Sequence, residues 1–354
     1  MQSKTEMRGM ATATEMDILI VHTWGIGDLI MLTPVLNVVH KLHPRVKIHF
    51  LFFPKAAAIP VINAQYVGKI RYSSWKAGEL LKSIKELRKG QYHAAMFSSG
   101  VTPWKAWLFL LLLKTKKRIG EFKRFKYPFL DVQVRFDATK SRTENNYRLI
   151  RSVLEIPSWL NALAHREELN LYTQFNLQAG NRRWASEYLA RMGFGSKKLV
   201  GIHPGCMAKN SYRRWDKDNF VALIGMIKAK FNYEILVIAG PDELDVGEYI
   251  SDKSASKLLS KTPLTNVAAV IAQCDFFINT DSGLGHIASC FRVKSLTIFG
   301  PGDEAQTAPF SPESRVVRNH ISCAPCVGRK RIACEVECLK ELKPETVFME
   351  FCRL

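Results

Sequence analysis

The sequence predicts an α/β protein of two halves, each a mainly parallel sheet of the nucleotide-binding kind, facing a shared cleft. Three observations lead there. Strand-like and helix-like runs alternate along 354 residues, more than the ~100–200 residues of one ordinary domain. In the first half the apolar run Ile18, Leu19, Ile20, Val21 leads into Gly25-Ile26-Gly27-Asp28 and then a helically periodic stretch to Leu42. In the second half Phe276-Phe277-Ile278 leads into Asp281-Ser282-Gly283-Leu284-Gly285-His286. A short strand ending in a glycine turn that opens a helix presents free backbone N–H groups and the positive helix end, where an anion such as a phosphate can sit.

Residues 1–16 carry Lys4, Glu6, Arg8 and Glu15 without an apolar core, and are expected to form a flexible tail rather than a signal peptide. The first domain is expected at 17–175. Its strands are predicted at 17–21, 47–53, 69–72 and 94–98 from short apolar runs, with helical periodicity at 30–42, 77–88 and 103–113, an alternation that makes a parallel sheet. Residues 122–137 read as irregular, aromatic and basic, and a helix at 143–154 is stopped by Ile156-Pro157. The second domain, at 176–354, restarts after a polar stretch at 172–180. Strands are predicted at 199–202, 234–239, 275–279 and 294–299, with a helix at 220–230. All four strands end in Gly or Pro turns, on the side where open α/β sheets bind ligands. No internal repeat is visible.

Composition narrows the partners. With 47% hydrophobic and 23% charged residues the chain is an ordinary globular protein rather than a disordered or membrane-spanning one. Fifty-one Lys and Arg against 32 Asp and Glu give +19, which points to nucleic acid, anionic lipid or a phosphorylated substrate. No stacking-aromatic or helix-turn-helix pattern accompanies the charge, so nucleic acid is not expected. The expected compartment is the cytosol, with the eight cysteines reduced. The apolar stretch from Trp104 to Leu113, closed by Lys114, Lys116, Lys117 and Arg118, is too short for the ~20 residues of a membrane span. It reads either as a buried helix or as a Trp/Leu surface that dips into an anionic membrane face.

Two sets of residues carry chemistry. Asp28, at the end of the first strand, can take a proton from a hydroxyl nucleophile, or serve as a first-turn acid that complements the helix dipole. Ser282 and His286, four apart on one helix face beside the free N–H of Gly283, suit a diphosphate, with Asp281 in the same turn. Lys209, Ser211, Arg213 and Arg214 follow the strand end His203-Pro204-Gly205 and can neutralise a leaving diphosphate, or form a solvated charge pair. Asp242 and Glu243 stand where an acid binds ribose hydroxyls, or caps the next helix. Asp216-Lys217-Asp218 imitates a metal-binding Asp-x-Asp motif, but its position opening a helix favours capping.

Taken in order, Gly25-x-Gly27-Asp28 with Pro34, His203-Pro204-Gly205 with Arg213-Arg214-Trp215, and Asp281-Ser282-Gly283-x-x-His286 with Phe299-Gly300-Pro301 resemble glycosyltransferase family 9, the lipopolysaccharide heptosyltransferases. The resemblance implies a GT-B fold, with the acceptor in the first Rossmann-like domain and the nucleotide sugar in the second. It implies metal-independent, inverting transfer of a heptose from ADP-heptose to the lipopolysaccharide inner core, an acidic lipid-linked saccharide, at the cytosolic membrane face. It implies that Asp28 is the general base, that Arg213 replaces the family's usual phosphate-binding lysine, and that Ser282, Gly283 and His286 hold the diphosphate; with Gly27, Ser211, Arg213, Arg214, Asp242, Glu243 and Asp281, these are the expected donor-site residues. Transfer to a protein or another glycan is a second reading. A non-catalytic, basic nucleotide- or anionic-surface-binding protein is a third.

Cys323-x2-Cys326-x7-Cys334-x3-Cys338 has the donor set of a four-thiolate knuckle for structural zinc or iron. Its seven-residue gap is short for a zinc finger, so a loop of reduced thiols is the competing reading. No cofactor is expected in catalysis, and the cysteine segment is expected away from the motif turns.

Overall fold

The computed structural model describes residues 15–53, 67–74, 76–100, 109–156, 172–326 and 334–354. Backbone contacts divide the chain into two units, Met1–Asn176 and Leu177–Leu354. In the first, β1 (Met16–His22), β2 (Val46–Phe52), β3 (Val67–Tyr72), β4 (Tyr92–Phe97), β5 (Thr115–Phe122) and β6 (Val132–Arg135) form one sheet in the order β3-β2-β1-β4-β5-β6. In the second, β7 (Leu199–His203), β8 (Glu234–Ile238), β9 (Lys257–Leu259), β10 (Phe276–Thr280), β11 (Lys294–Phe299) and β12 (Ser314–Arg318) are ordered β12-β11-β10-β7-β8-β9. Every neighbouring pair is parallel.

Numbered within its own unit, each sheet reads 3-2-1-4-5-6, the Rossmann order. The fold therefore contains a duplication that the sequence does not display as a repeat. In both sheets the strand order reverses between the first and fourth strands, and open α/β sheets bind ligands outside the carboxyl ends of those two strands.

The central strands are continuous apolar runs because helices cover both faces of a parallel sheet. Ile18, Leu19, Ile20 and Val21 are fully buried, as are Val200, Ile202, Phe277 and Ile278. The segment predicted as one helix at 30–42 is two, Ile26–Ile30 and Thr33–Leu42. Thr33 Oγ1 donates to Ile30 O at 2.7 Å, and Pro34, which has no N–H, sits in the first turn of the new helix. The Asp216 carboxylate accepts from Asp218 N at 2.8 Å and caps the helix Lys217–Lys230, the capping role expected of it.

The predicted strands are all present, but the sequence reading missed β5, β6, β9 and β12. These lie toward the sheet edges. β5 carries Lys116, Lys117 and Arg118 and β12 carries Arg315 and Arg318, so neither shows the apolar run that marks a central strand. Of the apolar stretch at 104–113, residues up to 108 lie outside the described residues. Phe109, Leu110 and Leu113 pack in the core with Phe97 and Leu130, while Leu112 is exposed. No helix among the described residues is long and apolar enough to cross a membrane.

In the second unit the chain end returns to the sheet. Trp215, 1% exposed, donates from Nε1 to Leu342 O at 3.0 Å and meets Phe220 edge-on. This anchors the segment that carries Arg213 and Arg214.

Candidate active site

In the first unit β1 ends at His22. Its Nε2 lies 3.2 Å from Gly25 O, which can only accept, so Nδ1 takes the Ser98 hydroxyl at 3.0 Å. The imidazole is completely buried, which lowers its pKa to about 4 against the help of the Gly25 and Trp24 backbone. A neutral histidine thus ties the Gly25 turn to the end of β4. Gly27 is buried in the helix that follows, and Asp28 lies in its first turn. Arg142, at the start of the helix Arg142–Arg151, brings Nε to 4.0 Å from Asp28 Oδ1. Glu121 on β5 accepts from Ser99 Oγ and Gly100 N through Oε2 at 3.1 and 3.0 Å. Trp24, Glu121 and Arg142 were missed by sequence reasoning. Trp24 adjoins the motif itself, whereas Glu121 and Arg142 come from distant segments with no local signature.

In the second unit β10 lies between β7 and β11. Asn279 is in register with His203, and Thr280 Oγ1 donates to Gly205 O at 2.7 Å. The Asp281 turn is therefore joined to the His203-Pro204-Gly205 turn. Arg213 closes the short turn Ala208–Arg213 and donates from Nη1 to Asp281 Oδ2 at 3.0 Å. Burial works against the Arg213 charge, but Asp281 and Tyr212 outweigh it and hold the guanidinium pKa above its ordinary value. Arg214 donates from Nη2 to Cys206 O at 2.6 Å and to Asp242 O at 2.8 Å, with Glu243 Oε2 at 3.8 Å.

Glu243 is 4% exposed and accepts from Gly240 N at 2.6 Å. A Cβ on Gly205 would stand 2.1 Å from its Cγ, so glycine is required for the two turns to approach this closely. The Asp242 carboxylate accepts from Ala208 N at 3.0 Å. Ser211 is exposed on its turn. A Cβ on Gly302 would stand 2.4 Å from Asp281 Oδ2.

Ser282 caps the eight-residue helix Gly283–Cys290 without a side-chain cap bond. Ser282 Oγ, His286 Nδ1, Arg213 Nε and Arg214 Nε are all buried with no hydrogen-bond partner among the described residues. Leaving such a group unpaired costs about 1–3 kcal/mol. A hydroxyl, an imidazole nitrogen and two guanidinium N–H groups beside a helix N-terminus form a donor set suited to an anion. Burial lowers the His286 pKa to about 4, so the ring is neutral at neutral pH and carries one N–H to offer.

The four cysteines lie near one another. Burial pushes the Cys338 thiol up to about 11, with Cys326, Cys334 and Cys323 adding to the shift. No group of three or more His, Cys, Asp or Glu side chains among the described residues is arranged to hold a metal ion, so the knuckle suggested by spacing is not closed. Nor is the segment remote from the motif turns, as expected. Cys326 N donates to Pro301 O at 2.9 Å, and a Cβ on Gly300 would stand 2.5 Å from Leu339 Cγ. The segment braces the Gly300-Pro301-Gly302 turn because β11 delivers that turn beside the returning chain end.

Two parallel units of Rossmann order with polar clusters at their strand ends define a glycosyltransferase fold of the GT-B class. The chain matches glycosyltransferase family 9 (heptosyltransferase) over residues 80–336 and belongs to that family; it is an enzyme, and the reading as a non-catalytic binder falls away. It is 26% identical over 335 residues to lipooligosaccharide heptosyltransferase 2 of Campylobacter jejuni, covering 92% of this chain and 93% of that one. Among solved structures it resembles a family 9 glycosyltransferase of Veillonella parvula, with TM-score 0.78 and 17% identity over 97% of this chain and 98% of the other. It also resembles an Escherichia coli heptosyltransferase solved with ADP-2-deoxy-2-fluoro heptose, with TM-score 0.69 and 18% identity over 96% and 99%. These structural likenesses establish the fold.

The buried neutral histidines set a pH dependence. The unfolded chain protonates His22 and His286 near 6.5, whereas the folded chain resists protonation until about 4. The unfolded state therefore binds more protons between those values, and stability falls as pH drops through that window. Urea unfolding at pH 7 and pH 5 checks this: the midpoint is expected to fall at pH 5, and by less in His286→Gln. A midpoint that rises on acidification, or an equal drop in the variant, contradicts the burial of a neutral His286.

Proposed function

We propose that this enzyme transfers a heptose from ADP-heptose to the lipopolysaccharide inner core by an inverting, metal-independent displacement. The observation that carries the reading is the set of buried, unpartnered donors at Ser282, His286, Arg213 and Arg214. Family membership and the likeness to a heptosyltransferase crystallised with an ADP-heptose analogue support it.

The chemistry follows from charge. As the bond from the anomeric carbon to the β-phosphate oxygen breaks, negative charge grows on the diphosphate. Arg213, Arg214, neutral His286, Ser282 and the backbone N–H of Gly283 are fixed donors for that charge, and preorganised donors need no reorganisation as the charge develops. Ser211 extends this set from its exposed turn, and Gly27 is assigned to the donor site with it. Asp242 and Glu243 are assigned to the nucleoside end of the donor, where their contacts with Ala208 N, Gly240 N and Arg214 fix the turn. The sugar acquires oxocarbenium character, and Asp28 removes the proton from the acceptor hydroxyl as the new C–O bond forms on the opposite face. The products are the inverted glycoside and ADP.

The acceptor is assigned to the first unit, and an acidic, lipid-linked saccharide matches the charge of +19. Activity at the cytosolic face of the inner membrane, with peripheral contact, completes the proposal. A zinc or iron ion on Cys323, Cys326, Cys334 and Cys338 would be structural, with no part in the displacement.

Asp28→Ala is expected to cut transfer by about 10²–10⁴ while ADP affinity, read by calorimetry, stays near normal. Arg213→Ala and His286→Ala are expected to weaken ADP binding as well as rate. Normal turnover in the first variant would remove Asp28 from the mechanism, and unchanged ADP binding in the others would move the phosphates elsewhere.

Transfer is also expected to persist in excess chelator, and loss of any thiolate-bound ion should lower the thermal midpoint more than the rate. Rapid loss of activity, restored by Mg²⁺ or Mn²⁺ with the fold unchanged, would contradict a metal-free step.

A further inference from the structure

We infer that Arg142 is the positioning residue for the Asp28 carboxylate, and that Trp24, Phe136 and Gly100 fix Arg142 in turn while the charge of Glu121 opposes its pull; the inference rests on Asp28 being the base. Two sets of contacts hold the guanidinium, and a helix cap fixes where its residue sits. Its carbon stands 5.7 Å from the centre of the Trp24 ring and 5.5 Å from that of Phe136, within cation–π range. A Cβ on Gly100 would lie 1.7 Å from Arg142 Nη1, and Gly100 has φ +101°, so both the space and the backbone there require glycine. The Ser141–Glu144 capping box fixes where the helix carrying Arg142 begins.

Arg142 is thus immobilised with Nε 4.0 Å from Asp28 Oδ1, and its side chain is 14% exposed. Nε and Nη1 are buried without a hydrogen-bond partner among the described residues, as are Trp24 Nε1 and Glu121 Oε1. A buried guanidinium with unspent donors, one shift of about an ångström from a charge-assisted bond to a carboxylate, is placed to hold that carboxylate ionised and aimed. Glu121 provides the opposing pull. Its carboxyl is raised by burial, against bonds from Gly100 and Ser99 and the charges of Arg142 and Lys123. Among the described residues, the charged groups that meet in this cluster include Arg142 beside Asp28, and Arg142 and Lys123 acting on Glu121.

Charge fixes opposite signs for two substitutions. Arg142→Met removes the cation that favours the Asp28 carboxylate, so the acid limb of the kcat profile should move to higher pH, by roughly one unit. Misaiming of the base should also lower kcat roughly ten- to hundredfold. Glu121→Gln removes a like charge and leaves Arg142 to Asp28, so its acid limb should move to lower pH. Arg142→Lys should restore most of the limb position.

The test uses the full chain with ADP-heptose and heptose-free lipopolysaccharide. It reads kcat, the acceptor KM, the pH profile and ADP affinity, with Asp28→Ala in parallel. Opposite limb shifts in Arg142→Met and Glu121→Gln, with native ADP affinity, support the assignment; because Glu121→Gln keeps the arginine, it stands even if Arg142→Met fails to fold. A raised acceptor KM with normal kcat and an unmoved limb in the arginine variant, or an unmoved limb in Glu121→Gln, overturns it. Full activity of Asp28→Ala overturns the base assignment and this inference together, whereas an inactive Asp28→Ala beside a normal Arg142→Met overturns the positioning role alone.

Discussion

The candidate donor site depends on the parallel pairing of β10 between β7 and β11. That register sets Asn279 opposite His203 and Thr280 opposite Ile298, so the Asp281, Gly205 and Gly300-Pro301-Gly302 turns are gathered at one end of the sheet. Thr280 Oγ1 bonds to Gly205 O, Arg213 bonds to Asp281, and Arg214 bridges the backbone of Cys206 and Asp242. The glycines at 205 and 302 let these turns approach within a distance that any side chain would forbid. Slipping the pairing by one residue would exchange the side chains that face the two helix layers and disperse every one of these contacts.

Within this frame electrostatics are balanced between structure and ligand. A half-buried arginine needs compensation, and Asp281 provides it for Arg213 through one of the five guanidinium N–H groups. Nε remains for the phosphate proposed to bind there, so the ion pair orients the guanidinium without consuming that donor. Neutral His286 adds an N–H at no cost in buried charge. The first unit poses the converse problem, since the carboxylate proposed as the base must be charged in a partly desolvated place. Its ion pair with Arg142 lies at 4.0 Å, close enough to bias ionisation.

Much of this was legible because it is local. A strand, a glycine turn and a helix lie next to one another in sequence, so Asp28, Ser282 and His286 could be placed at strand ends directly, and Asp216 was readable as a cap. The charged outer strands, β5 next to the edge of its sheet and β12 at the edge of the other, were not, since their pattern resembles that of loops. The common 3-2-1-4-5-6 order of the two sheets was also hidden, because topology can be duplicated without any repeated residues. Arg142 reaches Asp28, and Glu121 reaches Ser99 and Gly100, only through folding, and no periodicity encodes such contacts. The cysteine spacing was visible, but not that the returning chain end, pinned by Trp215 to Leu342, would press the segment against Gly300 and Pro301.

The central claim is that the strand ends of the second unit hold the diphosphate. A crystal structure of the enzyme with ADP tests it most directly. The account predicts the β-phosphate within hydrogen-bond distance of Gly283 N and Ser282 Oγ, with His286 and at least one of Arg213 and Arg214 donating to it. Phosphates bound elsewhere, with Ser282 Oγ and His286 Nδ1 still unpartnered beside a bound nucleotide, would contradict it.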